Sequence, residues 1–122
     1  AAELGTEPRR LLLGGRSMGG RMASMAVADG LPAAGLVLLS YPLHPPGKPE
    51  RLRTDHFPRL RVPVLFVSGD RDPFGRPDEW PEHLATIAGS VTMVWLEGDA
   101  HDPKKNDQAL VDAVHSWIKR RR

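Results

Sequence analysis

Short apolar runs alternate along this chain with segments whose apolar residues recur at helical spacing. The first run, Arg10 to Gly14, carries Leu11, Leu12 and Leu13 in succession. A continuous run between turn signals is the pattern of a strand buried on both faces. Gly35 to Ser40 (Leu36, Val37, Leu38, Leu39), Val62 to Ser68 (Val64, Leu65, Phe66, Val67) and Val91 to Leu96 repeat that pattern. Met18 to Ala28, rich in Ala and Met, reads as a helix between the first two strands. A Pro-rich loop, Tyr41 to Pro49, precedes a short helix expected around Arg51 to Leu60. Pro77 to Ala88 predicts another helix. Pro77 suits its start, Asp78 and Glu79 suit its first turn, and Trp80, Leu84 and Ile87 fall at i, i+4 and i+7. A last helix from about Asn106 would carry Leu110, Val111, Val114, Trp117 and Ile118 on one face.

Strands in alternation with helices predict an α/β fold: a mostly parallel sheet flanked by helices. In such sheets function sits at the carboxyl ends of the strands. The 122 residues, 40% of them hydrophobic, suit one domain, with no internal repeat and no linker. The 12 Gly and 12 Pro follow no period and act as punctuation between the runs. The absence of cysteine excludes disulfide scaffolds, cysteine zinc sites, iron–sulfur ligation and a thiol nucleophile.

No apolar stretch approaches the roughly 20 residues that span a bilayer, and no signal-peptide core stands at the start. The default expectation is therefore a cytoplasmic protein with no membrane partner. Net charge is +2, but Lys119, Arg120, Arg121 and Arg122 are four of the 17 basic residues; the rest are outnumbered by 15 acidic ones. The basic balance is a tail effect, suited to a helix C-terminus, and no nucleic-acid partner is expected.

The chemistry-bearing residues follow the strands. Gly15, Ser17 and Gly19 match G-x-S-x-G, a nucleophile elbow in which a sharp strand-to-helix turn projects the serine hydroxyl above the sheet. The N–H of the next residue, Met18, would then face a developing oxyanion, aided by the helix N-terminus. A phosphate loop would need Lys and Ser or Thr where Arg21 and Met22 stand, and the initial spacing of a dinucleotide fingerprint is missing. A Gly-rich turn that merely packs helix on strand is the plainer alternative.

Partners for Ser17 occur in the order Ser, Asp, His. The third strand ends in Ser68-Gly69-Asp70-Arg71-Asp72-Pro73, and the fourth in Glu97-Gly98-Asp99-Ala100-His101. Of the two aspartates Asp72 is preferred, because Pro73 favours an extended backbone there and it stands further out toward His101. Asp70 reads as a turn former or a partner of Arg71. His56, His83 and His115 have no such context, and no His or carboxylate spacing suggests a metal. Methionines 18, 22 and 25 read as core filling. Arg16, Arg21, Tyr41 and His44 are candidate substrate contacts, the two arginines for an anionic substrate.

On these motifs the chain resembles the α/β-hydrolase superfamily, and most closely its KANL/Tex-type, dienelactone-hydrolase-like group. The narrow markers are Gly-Gly-Arg-Ser-Met-Gly-Gly-Arg (14–21), Tyr-Pro-Leu-His-Pro-Pro-Gly-Lys-Pro-Glu (41–50), Arg-Asp-Pro-Phe-Gly (71–75) and Gly-Asp-Ala-His (98–101). The resemblance implies Ser17 as nucleophile, Asp72 as acid and His101 as base, with no metal or organic cofactor. It implies a serine hydrolase for a small-molecule ester or other acyl substrate. Family domains begin with strands ahead of the nucleophile strand, and a His-Gly loop among them gives a second oxyanion N–H. No segment here corresponds, so residues 1–122 are expected to be the C-terminal part of a larger domain. The Arg10–Gly14 strand would then lie at an edge, apolar and open to self-association. The alternative is a non-catalytic interaction domain of the same fold, using the 41–50 loop and the basic tail as a partner surface.

Overall fold

The computed structural model describes residues 12–101 and 107–120. Four parallel strands, β1 (Leu12–Arg16), β2 (Gly35–Leu39), β3 (Val64–Gly69) and β4 (Val91–Leu96), form one sheet in the order β1-β2-β3-β4. Helix α1 (Met18–Ala28) connects β1 to β2, the short α2 (Pro81–Leu84) precedes β4, and α3 (Asp107–Arg120) closes the described chain. This is the α/β architecture that the alternating pattern predicts. β1 pairs only with β2 and forms an edge of the described sheet.

The period of two divides each strand between two cores. Leu36, Leu38, Val64 and Phe66 face α1, meeting Val27, Tyr41, Phe57, Trp80 and Ile87. Leu65, Val67 and Leu96 face the opposite side and pack with Trp117 of α3. All six residues of β3 are buried, so its carboxyl end is held firmly where Asp70 and Asp72 follow. Gly35 leaves room for Trp117 of α3: a Cβ there would lie 2.9 Å from the Trp117 ring.

Three expected elements differ. β1 runs on past Gly14 to Arg16, because backbone pairing with β2 continues to Arg16 opposite Leu39; Arg10 and Leu11 lie outside the described residues. The helix expected around Arg51 to Leu60 is only a 3-10 turn at Phe57–Arg59. Pro58 interrupts it, and the Arg53 backbone is committed elsewhere, its N–H to Leu43 O and its carbonyl to the Tyr41 hydroxyl. The helix expected over 77–88 breaks into a 3-10 turn at Pro77–Glu79 and α2. Pro81 has no N–H to donate to Pro77, so the first turn cannot continue as α-helix. The expected start of α3 at Asn106 lies outside the described residues.

Met18 and Met22 are exposed, 46% and 58%, rather than core-filling. Gly20, Ser24 and Val27 form the buried face of α1, so small residues bring the helix close to the sheet and the long methionines point outward. Among the described residues no helix is long and apolar enough to cross a membrane.

Candidate active site

Ser17 occupies the turn between β1 and α1 with φ 52° and ψ −120°. A non-glycine residue at positive φ carries backbone strain, which persists only where its surroundings enforce it. Here they do. The Ser17 N–H donates to Leu39 O at 2.7 Å, and its carbonyl accepts the Arg21 N–H at 3.1 Å, tying the turn to β2 and to α1. Gly15 and Gly20 let the two arms of the turn touch: a Cβ on Gly15 would lie 2.5 Å from the Gly19 carbonyl carbon, and one on Gly20 would lie 2.8 Å from Gly15 O. A Cβ on Gly19 would meet nothing within 4 Å. The close contact thus needs Gly20 more than the Gly19 of the motif.

The loops after β3 and β4 are laced together. Gly98 N–H donates to Asp70 Oδ1 at 2.9 Å, and Arg71 N–H donates to Asp99 O at 2.9 Å. A side chain at Gly69 would strike Asp99 O at 2.2 Å, so the loops pack backbone to backbone. Asp70 is therefore the tie between the loops.

Asp72, one turn beyond, is 1% exposed. Its Oδ1 accepts the Phe74 N–H at 2.8 Å, while Oδ2 accepts from His101 Nδ1 at 2.8 Å. The other ring nitrogen, Nε2, accepts from Ser17 Oγ at 2.6 Å. The structure thus brings Ser17, His101 and Asp72 into one hydrogen-bonded chain at the carboxyl ends of β1, β3 and β4. The His101 side chain is 24% exposed, so the chain opens to solvent at its serine end and is sealed at its carboxylate end. With the carboxylate as acceptor, Nδ1 carries the proton and Nε2 is left to receive one.

Phe74 is part of this arrangement, and sequence reasoning gave it no role. Its ring stacks on the His101 imidazole, centroids 3.9 Å apart and planes 27° apart. No spacing in the sequence marks this stack; it follows from the turn in which the Gly75 N–H donates to Asp72 O at 3.2 Å.

The other expected residues fall in different places. Met18 is the first residue of α1, where N–H groups have no intrahelical acceptor. Arg16 is exposed at the end of β1. Arg21 lines a separate pocket between α1 and residues 52–59, to which none of Ser17, His101 and Asp72 contributes. Tyr41 and His44 lie in the interior with protein partners. Tyr41 is 1% exposed within the aromatic core; burial pushes its phenol up to about 12, and its hydroxyl donates to Arg53 O at 2.6 Å. His44 is buried, its Nε2 bonded to Glu79 Oε2 at 2.6 Å and its Nδ1 to Pro45 O at 2.8 Å. The 41–50 loop is thus half interior: residues 41–44 are buried and 46–50 exposed.

A family model described as "Alpha/beta hydrolase domain" matches residues 1–120. The chain belongs to the α/β-hydrolase family. Solved structures share its fold. SOBER1 of Arabidopsis thaliana is 20% identical with a TM-score of 0.67, over 98% of this chain and 57% of its own. A monoacylglycerol lipase of Paleococcus ferrophilus is 14% identical with a TM-score of 0.78, over 99% of this α/β hydrolase and 71% of its own chain. A puromycin-hydrolyzing peptidase of Mycobacterium tuberculosis is 21% identical with a TM-score of 0.72, over 98% of this chain and 23% of its own. The chain therefore spans little more than half the length of SOBER1.

Proposed function

We propose that this α/β hydrolase is a serine hydrolase of esters or other acyl compounds, with Ser17 as nucleophile, His101 as base and Asp72 as the acid that orients it. The hydrogen-bonded run from Ser17 Oγ through His101 to the buried Asp72 supports this reading most directly. Ser17 Oγ attacks the acyl carbonyl carbon while its proton passes to His101 Nε2. The carbonyl oxygen becomes an oxyanion, which the Met18 N–H stabilises at the helix N-terminus. Collapse of this intermediate breaks the bond to the leaving group, which takes the proton back from His101. Water then attacks the acyl-enzyme, giving its proton to His101, and the acid departs with Ser17 restored.

Asp72 remains ionised throughout, holding the imidazole in one tautomer and balancing the positive charge it gains. The solved relatives whose names include a lipase and a peptidase are consistent with acyl chemistry. The narrower kinship, to the KANL/Tex-type group, rests on segments 14–21, 41–50, 71–75 and 98–101.

A fluorophosphonate probe and a short activated ester test the proposal. The protein is expected to be labelled and to release the ester's alcohol, with both signals lost in Ser17→Ala. Folded protein that resists labelling would overturn it in favour of a non-catalytic interaction domain.

A further inference from the structure

Away from Ser17, α1 and residues 52–59 enclose a pocket of about 180 Å³. Three arginines line it, Arg21, Arg53 and Arg59, against a single acidic residue, Asp55. Arg21 Nε is buried without a hydrogen-bond partner, and its Nη1 reaches only the weak acceptor Met18 Sδ, at 3.8 Å. Buried donors are seldom left without an acceptor, because the lost hydration is not repaid. Arg59 bonds Asp29 at 3.1 Å through Nη2, but both side chains are well exposed, so that pair is easily exchanged.

His56, which also lines the pocket, is held below the ordinary imidazole range first by burial and then by Arg21 and Arg59, against the opposing pull of Asp29 and Asp55. Met25 and Leu52 add an apolar wall. The volume is below the roughly 300–1,000 Å³ of pockets for drug-sized ligands, so only a small molecule fits.

We propose that this pocket binds the oxyanion group of a small organic acid, a carboxylate or phosphate head with a few carbons behind it, between Arg21 and Arg53, with Arg59 at the rim. The planar fork of a guanidinium matches either head in bidentate fashion. An anion oxygen would reach Arg21 at its terminal nitrogens, where Nη1 has only the weak acceptor Met18 Sδ, and the carbons would lie on Met25 and Leu52. The assignment does not depend on Ser17 being a nucleophile. It gives Arg21 a ligand other than the acyl substrate.

Nitrogen-15 NMR of the protein, with butyrate and inorganic phosphate titrated separately against a chloride control, tests the site. At least one ion should move the Arg21 Nε–H resonance saturably, equally in wild type and in Ser17→Ala. A response to butyrate alone identifies a carboxylate ligand, a response to phosphate alone a phosphate ligand, and a response to both the shared oxyanion chemistry. Arg53→Ala should weaken binding roughly tenfold, and Asp55→Asn should tighten it. Absence of a saturable shift with either ion, or equal binding by Arg53→Ala and wild type, would overturn the proposal. Because no turnover is measured, failure here leaves the hydrolase reading untouched, and failure to label Ser17 leaves this one untouched.

Discussion

The Phe74 ring lies nearly parallel on the His101 imidazole, with 3.9 Å between centroids, while the Phe74 N–H holds the far oxygen of Asp72. One residue therefore fixes both the plane of the imidazole and the rotamer of its carboxylate. In the proposed reaction His101 becomes a cation as it takes the Ser17 proton, and an aromatic face stabilises a cation above it.

Phe74→Leu should keep most of the packing and lose the ring face. An aromatic pair contributes about 0.5–1.5 kcal/mol, so kcat is expected to fall about two- to tenfold with KM little changed. Steady-state kinetics on an activated ester would read this. A change confined to KM would mean that Phe74 meets substrate and leaves His101 alone.

The two aspartates of the β3 loop should separate sharply. In Asp72→Asn the Phe74 N–H selects the amide oxygen at the Oδ1 position, which turns the amide nitrogen toward His101 Nδ1. A donor there demands the wrong tautomer, and kcat is expected to fall by about 10³ to 10⁴. Asp70→Asn retains an oxygen for the Gly98 N–H, so it should lower the melting temperature slightly and leave kcat within a few-fold. Comparable kcat losses in both variants would contradict the separate roles of the two side chains.

The meeting of Ser17, Asp72 and His101 was legible because each stands in the loop or turn just after an apolar run, and a parallel sheet gathers the ends of its strands on one side. The burial of Tyr41 and His44 was not legible, for a physical reason. Pro-rich loops usually lie on the surface, but the first four residues of this one turn inward, where Tyr41 meets Phe57 and Phe66 and His44 meets Glu79. Nothing in local sequence marks that inward turn. Met18 and Met22 were misread because apolar type was weighed above size, whereas the face of α1 nearest the sheet admits only small side chains around Gly20 and Ser24. The Phe74 stack was invisible because it depends on the path of the loop rather than on any spacing.

The glycines of the elbow offer a steric test. Gly19→Ala places a methyl in open space within a helix, so stability should stay level or rise by up to about 1 kcal/mol. Gly20→Ala drives a methyl onto Gly15 O and should cost about 1–3 kcal/mol, along with loss of fluorophosphonate labelling. Urea unfolding of the two variants compares them directly. If Gly20→Ala is the milder change, the approach of Gly15 to Gly20 does not hold the turn.

Stability should fall as pH drops below about 6.5, and His56 should be the first cause. Its Nε2–H donates to Ser24 Oγ at 2.8 Å, while the Ser24 hydroxyl gives its own proton to Arg21 O. Burial, then Arg21 and Arg59, hold the folded ring below its ordinary value. The unfolded histidine therefore takes up a proton before the folded one does. In that window the unfolded state binds more protons, and unfolding becomes easier as pH falls. The full contribution is present above the unfolded value and is lost as pH passes down through the folded one. Glu79 repeats the sign at lower pH: burial alone would raise its carboxyl, but the Arg76 N–H and the His44 ring outweigh burial and hold it below the carboxylate range. Urea midpoints at about pH 7 and about pH 5.5 leave Glu79 out of the comparison, and a His56 variant separates this histidine from the others. His56→Gln keeps a donor for Ser24 and cannot titrate, so its midpoint should change less between the two conditions than that of wild type. Equal changes in both proteins would show that His56 titrates alike folded and unfolded.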